Sequence, residues 1–228
     1  EKEKVMKEER RMPESFIRHA LEVGALGCFP GGRILKSGRI SPYFFDAGRF
    51  VTGESLGVLL LAYADALYPI LYKDHLPVLF GPAYKGTFLV SALALTIWQE
   101  YSMNIAFASN RKEIKNHGEG GVMIGAPLNN REVWIVDDVI SDGMSKREAA
   151  RIISAQGGTL AGCVVAFDRQ ERGVETHLSA AQQFEQEYGV SLIAAATAGD
   201  LVTVLRSEGG HQEELSAILA YQERYGIS

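Results

Sequence analysis

Four consecutive apolar residues, from Val133 to Val136, constrain the fold of this chain more than any other feature of its sequence. A strand that is covered on both faces loses the usual alternation of apolar and polar residues, so the run predicts a buried strand in a parallel sheet. Asp137 and Asp138 follow directly, then a loop rich in hydroxyl groups and glycine, and then a helix-forming run from Lys146. This order predicts a strand–loop–helix unit of an α/β fold.

The segment after this strand has the parts needed to hold a phosphorylated ribose. Ionised aspartates only accept hydrogen bonds, so Asp137 and Asp138 suit the neighbouring hydroxyls of a sugar. The loop amides and the helix N-terminus offer unpaired donors and partial positive charge to a phosphate. Two alternatives stay open, because an acidic pair can simply end a strand, and Ser145 with Glu148 would form an ordinary capping box. The loop is neither a Walker A loop nor a dinucleotide fingerprint, since it lacks their glycine spacing.

The bulk properties narrow the class of protein. The length of 228 residues predicts one domain, and 46% hydrophobic residues suit a sizeable core. A net charge of −5 argues against non-specific nucleic-acid binding. Cys28 and Cys163 lie outside any metal-ligand spacing, which predicts two reduced thiols. We find no signal peptide, and the longest apolar run, over 57–64, is too short to span a bilayer. We therefore expect a cytoplasmic protein with neither a nucleic acid nor a membrane as its partner.

The pattern along the chain predicts the architecture. The charged residues 1–11 read as a disordered tail, and a glycine- and proline-rich segment with short strand-like pieces covers 24–53. Helix and strand then alternate, which predicts a mostly parallel sheet with helices on both faces. Predicted helices cover 13–23, 56–68, 85–101, 146–156 and 176–188, with two more at the C-terminus; predicted strands cover 77–80, 104–108, 133–136, 159–167 and 191–197. Ligands of such sheets bind at the carboxyl ends of the strands.

Cations and small residues follow other predicted strands at that edge. The sequence from Gly81 to Gly86 allows close approach of the backbone to an anion and brings Lys85 to a helix start, although a turn with a solvated lysine is the alternative. The segment over 109–121 carries several cations followed by glycines, which favours a lid over a charged ligand rather than a solvated loop. These cations are Arg111, Lys112, Lys115 and His117.

Aromatic and cationic residues indicate a further subsite. Lys36 with Phe44 and Phe45 offers a charge and aromatic faces to a planar acidic ring, while core packing is the alternative for at least one of the two phenylalanines. Arg169, after the strand over 159–167, could form a bidentate pair with a carboxylate.

Together these segments resemble the type I phosphoribosyltransferases, and within them the branch that acts on orotate. The loop over 136–145 is typical of the whole class. The orotate branch is indicated by residues 35–39, 41–45, 80–86, 110–113, 117–121 and 168–173. The resemblance covers residues 12–228 and implies the fold of that class, a single α/β domain with a small N-terminal hood over 12–53 and a core over 54–228.

The resemblance also implies an activity. This is the Mg²⁺-dependent transfer of ribose 5-phosphate from 5-phosphoribosyl 1-diphosphate (PRPP) to N1 of orotate, which gives orotidine 5′-phosphate and diphosphate in pyrimidine nucleotide synthesis. Magnesium is implied to bridge oxygens of PRPP, near Asp137 and Asp138 but without direct protein ligands. A homodimer is implied as well, with the lid of one subunit reaching into the site of its neighbour.

The resemblance assigns roles to individual residues. Catalytic roles fall to Asp137 and Asp138, and leaving-group assistance by Lys112 or Lys115 is a hypothesis. Orotate contacts fall to Lys36, Phe44, Phe45, Ser141 and Arg169. PRPP contacts fall to Lys36, Tyr84, Lys85, Arg111, Lys112, Lys115, His117, Asp137, Asp138, Val139, Ile140, Ser141, Asp142, Gly143, Met144 and Ser145.

Two loop residues depart from the family pattern, which commonly has threonine at Met144 and a small neutral residue at Asp142. Methionine donates no hydrogen bond, and an acid repels a phosphate unless it points away, so Ser145 is expected to replace the lost donor. A phosphoribosyltransferase for another base and a non-catalytic PRPP sensor remain alternatives. Arg169 and Lys36 argue against the first, and the complete set of lid cations argues against the second. The length leaves no room for a fused decarboxylase barrel.

Overall fold

The computed structural model describes residues 13–35, 37–115, 121–140, 144–173 and 176–227, without the side chains of Ile114, Lys115 and Met144. The predicted tail over 1–11 lies outside these residues. In chain order the elements are α1 (Pro13–Glu22), β1 (Leu26–Ile34), β2 (Ile40–Phe45), α2 (Gly53–Leu67), β3 (Val78–Gly81), α3 (Lys85–Tyr101), β4 (Ala106–Lys115), β5 (Gly121–Gly125), β6 (Glu132–Val139), α4 (Met144–Ala155), β7 (Thr159–Asp168), α5 (Ala180–Tyr188), β8 (Ser191–Thr197), α6 (Ala198–Glu208) and α7 (Gln212–Tyr225). Short 3₁₀ turns follow β2 and α2.

The central sheet has the strand order β5-β4-β3-β6-β7-β8. The five strands β4, β3, β6, β7 and β8, in this spatial order, run parallel to one another. The remaining strand, β5, pairs antiparallel with β4 at one edge. The predicted mostly parallel α/β sheet is therefore confirmed. β1 and β2 form a separate antiparallel pair within the range assigned to the hood. Among the described residues, no helix combines the length and apolar character required to cross a bilayer.

The side chains of β6 alternate between two hydrophobic clusters. Trp134 and Val136 belong to the larger one, which also contains residues of α1, α2, α3, α6 and α7. Val133 and Ile135 belong to the smaller one, with residues of α4 and α5. Since helices cover both faces, all four residues are buried, and this explains why the sequence of β6 does not alternate.

The helix α2 begins earlier than predicted because of its N-cap. The Thr52 hydroxyl accepts a hydrogen bond from the Ser55 amide at 3.2 Å, and the Ser55 hydroxyl accepts one from the Thr52 amide at 3.2 Å. This reciprocal pair satisfies donors that would otherwise be free at the helix start. The box uses serine at the position where glutamate or glutamine is the usual signal, so the predicted start at residue 56 was three residues too late.

The predicted loop over 109–121 is wrong in its described part. Residues up to Lys115 continue β4, and Gly121 begins β5, which the sequence did not predict. The two strands form an antiparallel ribbon at the sheet edge, with Asn110 opposite Met123. The second part of β4, over 109–115, is mostly polar and looks like a loop in the sequence, and β5 has only three apolar residues, at 122–124, between two glycines.

Two glycines allow β3 and the start of α3 to touch through their backbones. A Cβ atom on Gly81 would lie 2.0 Å from the Gly86 carbonyl oxygen, and one on Gly86 would lie 2.4 Å from the Gly81 carbonyl carbon. The Gly86 amide also donates to the Pro82 carbonyl at 2.9 Å. The glycines that the sequence suggested for approach to an anion are therefore required by the turn itself.

We predict that Gly81→Ala lowers the free energy of unfolding by about 3 kcal/mol, because the methyl group meets backbone that cannot move aside. Urea unfolding measures this change. Gly57→Ala is the matched control: nothing lies within 4 Å of its Cβ position in α2, so this variant should gain up to about 1 kcal/mol from helix propensity. Equal stability of Gly81→Ala and the wild type would contradict the backbone contact.

Candidate active site

The two aspartates lie near the end of β6, and the carboxylate of each accepts a hydrogen bond from the backbone amide of the next residue. Asp137 Oδ1 accepts from the Asp138 amide at 3.0 Å, and Asp138 Oδ1 accepts from the Val139 amide at 2.9 Å. These bonds orient both carboxylates and leave the two Oδ2 atoms to other partners. The side chains are 16% and 21% exposed, so both are accessible at the carboxyl end of the sheet.

Asp137 is held mainly by residues from α4. Its Oδ2 atom accepts from Lys146 Nζ at 2.6 Å and from Ser145 Oγ at 3.1 Å, while its carbonyl accepts from the buried Tyr63 hydroxyl at 2.7 Å. Lys146 Nζ also donates to the Val139 carbonyl. Ser145 lies inside α4 and donates to Asp137, so the alternative of a capping box that begins at Ser145 is wrong.

Asp138 has a different partner, from the neighbouring strand-to-helix turn. Its Oδ2 atom accepts from Lys85 Nζ at 3.1 Å, and the Lys85 side chain is 56% exposed. Lys85 is the first residue of α3, after the short turn that follows β3. The structure thus brings together the acidic pair and the lysine that the sequence assigned to separate loops.

The turn after β3 also contacts β4. The Ala83 amide donates to Asn110 Oδ1 at 2.9 Å, and the peptide bond between Ala83 and Tyr84 is cis. Lys112 Nζ lies 4.9 Å from the centre of the exposed Tyr84 ring, within cation–π range. Arg111 Nε is inaccessible to solvent and has no hydrogen-bond partner among the described residues. Lys112 of β4 and Lys85 at the start of α3 therefore both lie at this turn.

Several predicted site residues lie outside the description. They are Lys36, His117, Ser141, Asp142 and Gly143, and the side chains of Lys115 and Met144. Val139 and Ile140 are described: Val139 ends β6, and Ile140 is buried.

Phe44 and Phe45 have different environments, as expected of neighbours in a strand. The Phe45 ring is 7% exposed and stacks on Phe167 with centroids 5.4 Å apart, inside the larger hydrophobic cluster. The ring therefore packs in the core, and its expected contact with orotate stays a prediction. Phe44 is half-buried, and the Arg33 guanidinium lies 4.3 Å from the centre of its ring.

Glu171 is the centre of a buried polar network beyond the end of β7. Its carboxylate accepts from Arg169 Nη2 at 2.6 Å, from the Tyr43 hydroxyl at 3.0 Å and from the Tyr221 hydroxyl at 3.1 Å, and Arg39 Nη1 lies 3.7 Å away. The Glu171 side chain is only 10% exposed, so these donors compensate a charge that has little water around it. The network joins β2, the segment after β7 and α7.

Arg169 is positioned by the same network. Besides Glu171, its guanidinium donates to Ser41 Oγ at 2.7 Å and to the Tyr43 carbonyl at 3.2 Å, and it lies 4.2 Å from the centre of the Tyr43 ring. Its Nε atom is buried and has no hydrogen-bond partner among the described residues. Arg169 therefore contacts an internal carboxylate through one nitrogen, and its predicted contact with orotate stays a prediction.

Comparisons with known proteins agree with this geometry. The model of the phosphoribosyl transferase domain family matches residues 61–190, more than half of the chain. The orotate phosphoribosyltransferase of Acinetobacter baylyi is 46% identical over 185 residues, 81% of this chain and 83% of that protein. The same enzyme of Nitrosococcus oceani is 48% identical over 181 residues, 79% of this chain and 80% of that protein. The chain belongs to the orotate phosphoribosyltransferase family.

A solved structure supports membership in the orotate phosphoribosyltransferase family. The crystal structure of the Francisella tularensis orotate phosphoribosyltransferase has a TM-score of 0.81 and 32% identity, covering 93% of this chain and 99% of that one. The resemblance to the orotate branch that the motifs indicated is therefore confirmed.

Three residues that shape the candidate site were not assigned a role from the sequence. Lys146 and Tyr63 fix Asp137, and Glu171 fixes Arg169. The sequence pattern predicts an exposed side chain for a lysine at a helix start, such as Lys146. It predicts a core residue for a tyrosine in an apolar helix, such as Tyr63. The one available signal was Glu171, which lies two residues after a predicted ligand-binding arginine.

Asp137 and Asp138 could supply some, but not all, of the ligands of a hard cation such as Mg²⁺. Within the described parts of the chain, no group of three or more histidine, cysteine or acidic side chains could hold a metal. Asp137 and Asp138 are nevertheless oxygen donors of the kind that Mg²⁺ prefers, and one or two carboxylates usually suffice where a phosphorylated substrate supplies further oxygens.

We predict that buried tyrosines make the protein sensitive to alkali. Burial is the main cause that raises the pKa of Tyr63 and of Tyr43 well above the ordinary value of 10.0, and nearby carboxylates add to it. The folded state therefore keeps protons that the unfolded state loses, so stability present below pH 10 falls above it, by about 1.4 kcal/mol per pH unit for each tyrosine.

Urea unfolding across this pH range measures the slope. Tyr63→Phe should reduce it by about 1.4 kcal/mol per pH unit. Tyr72→Phe is the control, because it removes the same hydroxyl group from an exposed tyrosine. An identical slope for Tyr63→Phe and the wild type would contradict the assignment.

Proposed function

We propose that this chain catalyses the Mg²⁺-dependent transfer of ribose 5-phosphate from PRPP to orotate, a step of pyrimidine nucleotide synthesis. The observation that carries the proposal is the contact between Asp138 and Lys85. It joins the acidic pair at the tip of β6 to the cationic turn after β3, in a chain that is 46% identical to an orotate phosphoribosyltransferase. A ligand with a ribose and a diphosphate matches such a pairing of acid and cation.

The chemistry suits these side chains. Breaking the bond between C1 of the ribose and the diphosphate leaves positive character on the sugar and negative charge on the departing group. Asp137 and Asp138 can accept hydrogen bonds from the ribose hydroxyls and tolerate the developing cation, whereas Lys85 and Lys112 can bind the diphosphate. Lys85 would then exchange Asp138 for a phosphate oxygen.

Magnesium has a defined part in this proposal. When bound, Mg²⁺ would neutralise charge on the diphosphate. Asp138 is the better placed of the two acids to contact it directly or through water, because its Oδ2 atom is bonded only to the exposed Lys85 among the described residues.

We further propose that the ribbon of β4 and β5 supplies the lid. Arg111 and Lys112 lie on β4, and the Arg111 Nε atom has no acceptor within the described part of the chain. A phosphate oxygen would satisfy it. Closure would also exclude water, which otherwise competes with orotate for the activated sugar.

A homodimer is proposed on the exposed face of α3. Phe88, Leu95 and Trp98 are 52%, 56% and 52% exposed, and their spacing gives one apolar face along the helix. Phe107 of β4 and Ile124 of β5 are exposed at the neighbouring sheet edge. A second copy of the chain is the proposed occupant, since a contact here would include the ribbon that carries the lid cations. A cytoplasmic location stays a prediction of the sequence.

The activity is tested by mixing the purified chain with orotate, PRPP and Mg²⁺ and following the loss of orotate absorbance. We predict turnover that stops when any one component is omitted. Lys112→Ala, and equally Lys115→Ala, should lower kcat by about 100-fold with a smaller change in the KM for orotate, because each lysine is proposed to act on the leaving group.

Lys73→Ala is the matched control, since Lys73 is an exposed lysine in the connection between α2 and β3 and should not affect kcat. An unchanged kcat in both lid variants would remove leaving-group assistance. A wild type that binds PRPP without turnover would favour a PRPP sensor.

For the dimer, we predict that sedimentation gives about twice the chain mass of 24.9 kDa for the wild type and the mass of one chain for Leu95→Asp. A charge at the centre of an apolar interface has no partner and prevents association. Leu219→Asp, at a 36% exposed leucine of α7, is the control and should stay dimeric. A monomeric wild type would contradict the proposal.

A further inference from the structure

Lys146 is the most deeply buried charged residue among the described residues, with 2% of its surface exposed. Lysine is almost never fully buried unless it is paired, because removing an ammonium group from water is costly. The proposed reaction assigns no role to this residue. Its position on α4, at the tip of β6, requires an explanation.

The contacts of Lys146 are all directed at the end of β6. Its Nζ atom donates to Asp137 Oδ2 at 2.6 Å and to the Val139 carbonyl. Asp137 is further bonded by Ser145 Oγ and by the Asp138 amide. The Asp137 carboxylate is thus bonded at both oxygens by its own chain.

Asp138 has the opposite character. Its one side-chain partner among the described residues is Lys85, which is more than half exposed. Solvent screens such an exposed pair, and a ligand can replace it at low cost, whereas the buried Lys146 pair is hard to separate. The two aspartates therefore differ, one with a fixed cation and one with an exchangeable cation.

We propose that Lys146 is a positioning residue of the pentose site, which fixes the Asp137 carboxylate and cancels its charge so that the acidic pair accepts an anionic sugar phosphate. Two uncompensated aspartates would repel the phosphates of PRPP. With Lys146 in place, Asp138 alone carries charge that a ligand must satisfy. The proposal rests on the proposed function, since it concerns PRPP at the same site.

The first test is the affinity for PRPP in the presence of Mg²⁺ and without orotate, by titration calorimetry. Lys146→Met should weaken PRPP binding by about tenfold or more, and steady-state kinetics should show a smaller change in the KM for orotate. Arg147→Met is the matched control: it removes an equal charge from the next residue of α4, where Arg147 forms an exposed pair with Glu187. Its PRPP affinity should equal that of the wild type.

A double-mutant cycle separates positioning from a role in folding alone. If Lys146 acts through Asp137, adding Lys146→Met to Asp137→Asn should cause no further loss of PRPP affinity. The double variant also buries no unpaired carboxylate at this position, so it decides the question if the single variant fails to fold. A further loss in the double variant would overturn the proposal, and so would a folded Lys146→Met with wild-type affinity. A wild type without PRPP affinity would overturn the proposed function as well.

Discussion

The burial of β6 on both faces is the constraint on which the rest of the structure depends. Helices cover Val133 to Val136 from two sides, so toward the carboxyl end the accessible side chains come only after this run. Asp137 and Asp138 follow this buried run and are partly exposed, and backbone amides there orient both carboxylates. The core beneath them and these hydrogen bonds hold the two carboxylates in place. The lysines of the neighbouring elements therefore meet carboxylates in defined positions.

The second organising element is Glu171, which ties β2 to the core and to α7. Two tyrosine hydroxyls and Arg169 bind its carboxylate. A buried acid with several donors specifies one arrangement of the elements that supply them, because any other arrangement leaves the charge unpaired. Arg169 thereby acquires a fixed orientation next to β2, although its nearest carboxylate is internal.

The sequence predicted those parts of the fold that burial determines. β8 and α3 have the predicted limits, and the run from Val133 predicted the central strand, because apolar patterns report which faces are covered. It failed in the exposed ribbon, where the second part of β4 is mostly polar and β5 is only five residues long. For the site, it predicted the residue types at the strand tips but not their mutual contacts. Side chains alternate along β2, but which of Phe44 and Phe45 packs in the core became clear only when the register of β2 was known.

Lys146 shows why such contacts are hard to predict. In the sequence Lys146 follows a serine at a helix start and lies among polar residues, which suggests an exposed side chain. In the structure its ammonium group points inward to Asp137. Only the approach of α4 to the tip of β6 distinguishes the two cases. In our proposal the same approach gives the two acids different roles: the carboxylate with a buried cation stays in place, and the one with an exposed cation changes partners. A pocket that must bind a sugar and then release a diphosphate needs both properties, and two adjacent aspartates supply them because their lysines come from differently exposed elements.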